Sequence, residues 1–205
     1  MIDEQTIVKR SSALYSKYGI KSISVDDVAF MLGISKKTLY EYIENKNALI
    51  EKVVENNLES FYKKVARETI GEDDIFRKYC HLYLLIIREL KKINPSYVHD
   101  LKKYHSRQYR KVIDFRDHRL YKMVAELIEE GVEAGLFRQD LDTKYVFFNQ
   151  MHKLSILLID SVYDFSESMT IQTIYKLILN DIRGITTLKG HEIFDRNYKE
   201  LSQLN

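Results

Sequence analysis

Ser24-Val-Asp-Asp-Val-Ala-Phe-Met-Leu-Gly-Ile-Ser-Lys-Lys-Thr-Leu-Tyr-Glu-Tyr-Ile-Glu-Asn-Lys46 is the stretch that decides the fold. Ser24 with Asp27 three residues on has the form of a capping box, with Asp in place of Glu. Asp26 and Asp27 suit the positive end of a helix dipole. Val25, Val28, Ala29 and Leu32 form the apolar face of a short helix, and Gly33 stops it. Ser35 can cap a second short helix, expected over 36–43. Two short helices around a glycine turn make a helix-turn-helix, whose second helix enters the major groove of DNA.

The chemistry of that second helix fits the role. Lys36, Lys37 and Thr38 crowd its N-terminus, where groove contacts are made. Tyr40 and Tyr42 carry hydroxyls able to reach phosphate oxygens. Their spacing puts them about 200° apart on a helix, so at least one faces outward. Lys46 stands just before the next helix, whose N-terminal N–H groups also favour phosphate. A bland reading competes at each position. Lys36 and Lys37 could be a solvated pair, and the tyrosines half-buried core. Leu39 reads as packing, not contact.

Working outward, period-3.6 patterning runs almost throughout. A first helix carries Ile7, Leu14, Tyr15 and Tyr18, and Gly19 ends it. After Asn45-Lys46-Asn47, a long helix is expected over 48–66, then a loop at 71–74. A fifth helix carries Ile75, Tyr79, Leu82, Tyr83, Ile86 and Ile87. It must end near Asn94, because Pro95 disfavours helical geometry in the residue before it. A short and a long helix follow between 97 and 133. A turn at 135–140 leads to an eighth helix over 143–163, capped by Asp142, and a ninth over 170–187. Residues 190–205 form a short helix or a frayed tail.

Composition narrows the classes. The chain has 205 residues, with 7 glycines and 1 proline, too few turn-formers for a barrel or sandwich of many short strands. No apolar run is long enough to cross a membrane, and the N-terminus has no signal-peptide pattern, so a cytoplasmic protein is expected. The lone Cys80 permits no internal disulfide and, in an apolar helix, reads as inert core. The net charge of +2 says little. From 88 to 122, however, 11 Lys and Arg face 4 Asp and Glu, which reads first as a solvated face. Asp114 and His118 share i, i+4 spacing, but a lone pair is a poor metal site. Phosphate-loop, dinucleotide and nucleophile-elbow motifs are absent. Neither an enzyme nor a cofactor is indicated.

The run from Ser24 to Leu49 resembles the signature of the TetR family of transcriptional regulators. The matching positions are Val28-Ala29, Gly33-Ile34-Ser35, Thr38-Leu39-Tyr40, Tyr42, Lys46 and Leu49, and the resemblance covers residues 5–50. It departs at Ile43, where the family usually has Phe, at Ile23, where Thr is usual, and at Lys37, usually small. The N-terminus lacks a basic arm, which speaks against minor-groove reading.

The resemblance implies an all-α protein. Residues 1–47 would form a three-helix DNA-binding domain, and residues 48–205 a helical effector-binding and dimerisation domain. It implies a dimeric, ligand-responsive repressor acting on a double-stranded DNA operator. Ser24, Ser35, Lys36, Lys37, Thr38, Tyr40, Tyr42 and Lys46 are its expected DNA-binding residues. The alternative is a helical assembly protein without sequence-specific DNA binding.

Two further expectations come from the second half. The eighth helix is apolar around nearly its whole circumference, from Tyr145, Phe147 and Phe148 through Leu154 to Ile159 and Val162. With Ile171, Ile174, Ile178 and Ile182 of the ninth it predicts a four-helix homodimer interface. The 15 tyrosines are many for a helical core, since each buried hydroxyl needs a partner. Tyr83, Ile87, Tyr104, Tyr109, Phe147 and Met151 are therefore expected to line an effector pocket, with Arg88, Arg107 and Arg110 favouring an acidic ligand.

Overall fold

A computed structural model describes residues 2–69, 72–158 and 170–198. Among them every named element is helical; Phe137 and Thr186 form an isolated antiparallel bridge. No helix among the described residues is long and apolar enough to cross a membrane.

The chain divides into two compact units. The first holds residues 1–64 and 91–117, the second 65–90 and 118–205. The boundary expected at residue 47 thus falls inside the first unit.

The first unit begins with α1 (Glu4–Tyr18), α2 (Val25–Leu32) and α3 (Lys36–Tyr40), followed by α4 (Lys46–Thr69), which runs on into the second. Ile7, Leu14 and Tyr15 of α1, Val28 and Leu32 of α2, Leu39 of α3, and Leu49 and Val53 of α4 share one buried core. Ile23 and Ile43, the two apolar departures from the family pattern, join it. Each early helix starts on a side-chain cap. Asp3 accepts from the Thr6 N–H at 2.7 Å, and Asn45 accepts from the Ala48 N–H at 2.9 Å. Asn45 therefore starts α4 at Lys46 where the sequence suggested a break through Asn47.

Two more helices belong to this unit, α6 (Pro95–Tyr104) and α7 (Ser106–Asp114). Pro95 occupies the first turn of α6, where its missing N–H costs nothing. Asn94 caps α6 and also bonds α1's last carbonyls: its N–H reaches Ser16 O at 2.7 Å and its amide reaches Lys17 O at 3.1 Å. Buried Asp100 accepts from the Lys21 N–H at 2.7 Å. Tyr97 and Leu101 complete the core. Gly19 closes α1 at φ 83°, ψ 161°, a region essentially confined to glycine. A Cβ there would stand 3.1 Å from Ser96 Cβ.

The second unit contains α5 (Ile75–Leu90), α8 (Tyr121–Glu133), α9 (Thr143–Leu158), α10 (Ile171–Ile185) and α11 (Leu188–Tyr198). A π-helical stretch, Phe115–Leu120, runs into α8. Helix α5 is the hub, packing against α8, α9 and α10. Its Phe76 meets Phe137 and Phe194 edge-on at 5.6 and 5.2 Å. Asp142 accepts from the Tyr145 N–H at 2.9 Å and so caps α9 as expected. The eighth helix was expected to reach residue 163; its last residues, with Ile159 and Val162, lie outside the described ones, as do 70–71 and 199–205.

Candidate nucleic-acid interface

Local chemistry fixes α2 and α3 before packing does. The Ser24 side chain accepts from the Asp27 N–H at 3.1 Å, and the Asp27 carboxylate accepts from the Ser24 N–H at 2.7 Å, a complete capping box. These bonds hold the Asp27 carboxyl below its usual range. Gly33 ends α2 in the left-handed region at φ 68°, ψ 31°. Its N–H bonds Phe30 O, and Ile34 N–H bonds Ala29 O at 3.1 Å, closing the turn. Ser35 then caps α3 through the Thr38 N–H at 3.0 Å. The second helix, expected over 36–43, is only five residues long; Ile43 still packs into the core from the turn that follows.

Leu39 is fully buried and anchors α3, leaving the rest of its surface to solvent. Lys36, Lys37 and Tyr40 are exposed. Lys36 pairs with Asp26 at 2.8 Å across two exposed side chains, a contact that is weak and readily exchanged for another anion. Among the described residues Lys37 has no ionic or hydrogen-bond partner. The Thr38 hydroxyl sits 2.9 Å from that of Ser35. Ser24 is exposed, with its hydroxyl engaged by Asp27 at 2.6 Å.

Tyr42 and Lys46 are differently employed. The Tyr42 hydroxyl donates to Ile2 O at 3.1 Å and its ring packs on the core. The Lys46 ammonium donates to Ile20 O at 2.8 Å; burial lowers its pKa, opposed by Asp100 and Asp27. Both side chains tie the unit together, and α3 carries the free surface. Two side chains not singled out by their spacing are also exposed: Phe30 and Met31 stand 83% and 57% exposed on α2.

The expected effector-pocket residues divide between the two units. Tyr83, Ile87 and Phe147 are fully buried in the second unit, with Met151 half-buried there. Tyr104 and Tyr109 lie in the first unit. Tyr104 is 47% exposed between the ammonium groups of Lys21 and Lys103, each 5.3 Å from its ring. Tyr109 packs on the helix-turn-helix core. The reason is Pro95: it begins a helix that docks on α1, and α6 and α7 carry their tyrosines with them. Part of the basic stretch is paired. Lys111 bonds Glu51 at 2.6 Å and also Glu55, and Arg107 stands 3.6 Å from Glu51.

A different hollow, of about 270 Å³, lies between α9 and α10 over α5, and Tyr83 is the one expected residue that lines it. Gln150, Lys153 and Asp181 also line it. The signal for Gln150 was a polar residue set among Val146, Phe147 and Leu154 on a buried stripe.

No family model matches the chain. Among curated proteins it is 21% identical over 144 residues to the HTH-type transcriptional repressor KstR2 of Mycolicibacterium smegmatis, covering 69% of this chain and 70% of that one. It is 30% identical over 86 residues to the uncharacterized HTH-type transcriptional regulator YvaF of Bacillus subtilis, covering 41% and 45%. Among solved structures, a TetR-family transcriptional regulator from Marinobacter aquaeolei VT8 superimposes with a TM-score of 0.75 over 98% of both chains at 14% identity. With the helix-turn-helix in place at the N-terminus, the chain is similar in sequence to HTH-type transcriptional regulators and shares the fold of solved TetR-family regulators.

Proposed function

We propose that the protein is a homodimeric, effector-responsive repressor that reads double-stranded DNA through α3. The observation that carries the reading is the division of labour around α3. Leu39 fixes the helix from within, while Lys37, Thr38 and Tyr40 are left on its outer surface. Lys37, the cation without a partner, is the residue proposed to reach a base edge. Lys36 can exchange Asp26 for a phosphate, and Tyr40 and Ser35 stand beside it for the backbone. Tyr42 and Lys46 are proposed to act by holding the frame.

Dimerisation is proposed through α9 and α10. Two α3 helices must then meet successive major-groove faces about 34–36 Å apart. An effector with unequal affinity for the DNA-competent and DNA-incompetent states shifts operator binding by linkage. The KstR2 relative is a repressor by name, which supports the sign of regulation proposed here.

Selection of bound sequences from a random duplex pool tests the reading. An inverted repeat with half-sites one helical turn apart is expected. Failure to enrich any sequence, with only salt-sensitive non-specific binding, overturns it in favour of an assembly role.

A further inference from the structure

The hollow between α9 and α10 has an unusual floor. Tyr83 is fully buried there, and its hydroxyl makes no well-formed hydrogen bond among the described residues, with only a weak interaction with the neighbouring Tyr79 hydroxyl. A buried hydroxyl left unpaired is costly and uncommon in a native interior. Burial holds its pKa well above the ordinary tyrosine value, so the group keeps its proton and can donate it.

Beside it, Gln150 is 4% exposed. Its carbonyl oxygen already accepts from the Tyr79 hydroxyl at 2.8 Å. The amide therefore retains its N–H donors. Both polar groups on the buried wall are donors awaiting an acceptor.

Charge is cancelled at the rim. Lys153 and Asp181 are the charged side chains lining the hollow, and they pair with each other at 2.7 Å. The remaining wall is mostly aliphatic: Leu154, Ile174 and Ile178 are buried, whereas Ile156, Leu157 and Leu177 also belong to the surface proposed for dimerisation, so a second copy would close the hollow. At about 270 Å³ the space exceeds the roughly 150 Å³ dry cavity known to admit a benzene ring.

We propose that this hollow is the effector site, and that it takes a neutral, mostly hydrocarbon molecule bearing a carbonyl oxygen received by the Tyr83 hydroxyl and the Gln150 amide. The proposal rests on the effector-responsive reading above and replaces the acidic ligand that the sequence favoured. An anion would have to break the Lys153–Asp181 pair or lie unpaired against aliphatic side chains.

Three one-ring probes separate the cases: acetophenone, ethylbenzene and benzoate, titrated into the full-length protein and followed by ligand-observed NMR. Acetophenone is expected to bind more tightly than benzoate. Tyr83→Phe is expected to weaken acetophenone about tenfold, equivalent to about 1.4 kcal/mol, and to leave ethylbenzene unchanged. Ile178→Phe, which fills the hollow from its other wall, is expected to abolish binding of both. Equal acetophenone affinity in the parent and Tyr83→Phe, tighter benzoate, or probe binding that survives Ile178→Phe overturns the proposal. The selection of bound DNA keeps the two readings apart: an operator with no Tyr83-dependent binding sinks this site alone, whereas no operator sinks the regulator itself.

Discussion

Lys37 and Tyr42 lie five positions apart, yet their environments give them opposite consequences when changed. Lys37 has no partner to lose, so Lys37→Ala should leave the melting temperature unchanged. It should alter sequence preference at one operator position by about 1–3 kcal/mol if the ammonium reads a guanine. Repeating the DNA selection with the variant checks this, and uniform weakening with preference intact would make Lys37 a phosphate contact. Tyr42 donates to Ile2 O, so Tyr42→Phe should cost about 0.5–1.5 kcal/mol of stability, read from the urea midpoint. The same contrast holds in the second unit. Tyr79→Phe removes a buried bond and orphans the Gln150 carbonyl, which should cost about 1–3 kcal/mol. Tyr83→Phe removes a hydroxyl without a well-formed hydrogen bond and should lower stability less than Tyr79→Phe does. A Tyr83→Phe protein that melts as early as Tyr79→Phe would mean that its hydroxyl is bonded after all.

The capped helices of the first unit make two predictions at the scale of elements. Gly33 is exposed, and nothing lies within 4 Å of an added Cβ. Gly33→Ala should therefore cost only the left-handed penalty of about 1–2 kcal/mol. Gly19 combines a glycine-only conformation with a 3.1 Å approach to Ser96 Cβ, so Gly19→Ala should cost more and also loosen α6 from α1. Hydrogen exchange on the Asn94 and Lys21 amides would report that loosening. The capping box gives a pH dependence. Asp27 is held below its ordinary value of 3.8 in the folded state. Its contribution is complete above that value and is lost as pH falls through the folded value. The stability gap between the parent and Asp27→Asn should thus be wide at pH 6 and should shrink as the pH is taken progressively below 3.8. These caps were legible in the sequence because they are local: Ser24, Asp27, Ser35 and Asp142 each act within three residues. The docking of α6 was not, because Asn94 and Asp100 find partners 77 to 79 positions away. For the same reason the placement of Tyr104 and Tyr109 in the first unit was not legible. The hollow was missed because its defining feature is a buried Tyr83 hydroxyl without a well-formed hydrogen bond, which no spacing encodes.

For the molecule as a whole, the decisive question is what covers α9 and α10. Val146, Phe147, Gln150 and Leu154 turn inward on α9. Phe148, Ile156 and Leu157 are only half-buried, while Tyr145 is 69% exposed and Leu177 of α10 is 41% exposed. An apolar surface spread over two helices is costly to leave in water, and a two-fold pairing covers it with copies of the same patch. The same pairing gives a reader of DNA its second half-site, without which one five-residue helix has too few contacts to be specific. Analytical ultracentrifugation at micromolar concentration should therefore find twice the 24.4 kDa chain mass. Tyr145→Glu places a charge on the exposed part of the patch without disturbing the core, so the variant should stay folded by circular dichroism while shifting toward the single-chain mass. Its affinity for a two-half-site operator should fall steeply, and its affinity for an isolated half-site should not change. A parent protein that sediments as one chain at micromolar concentration, or a Tyr145→Glu variant with both mass and operator affinity intact, would place the dimer elsewhere or remove it.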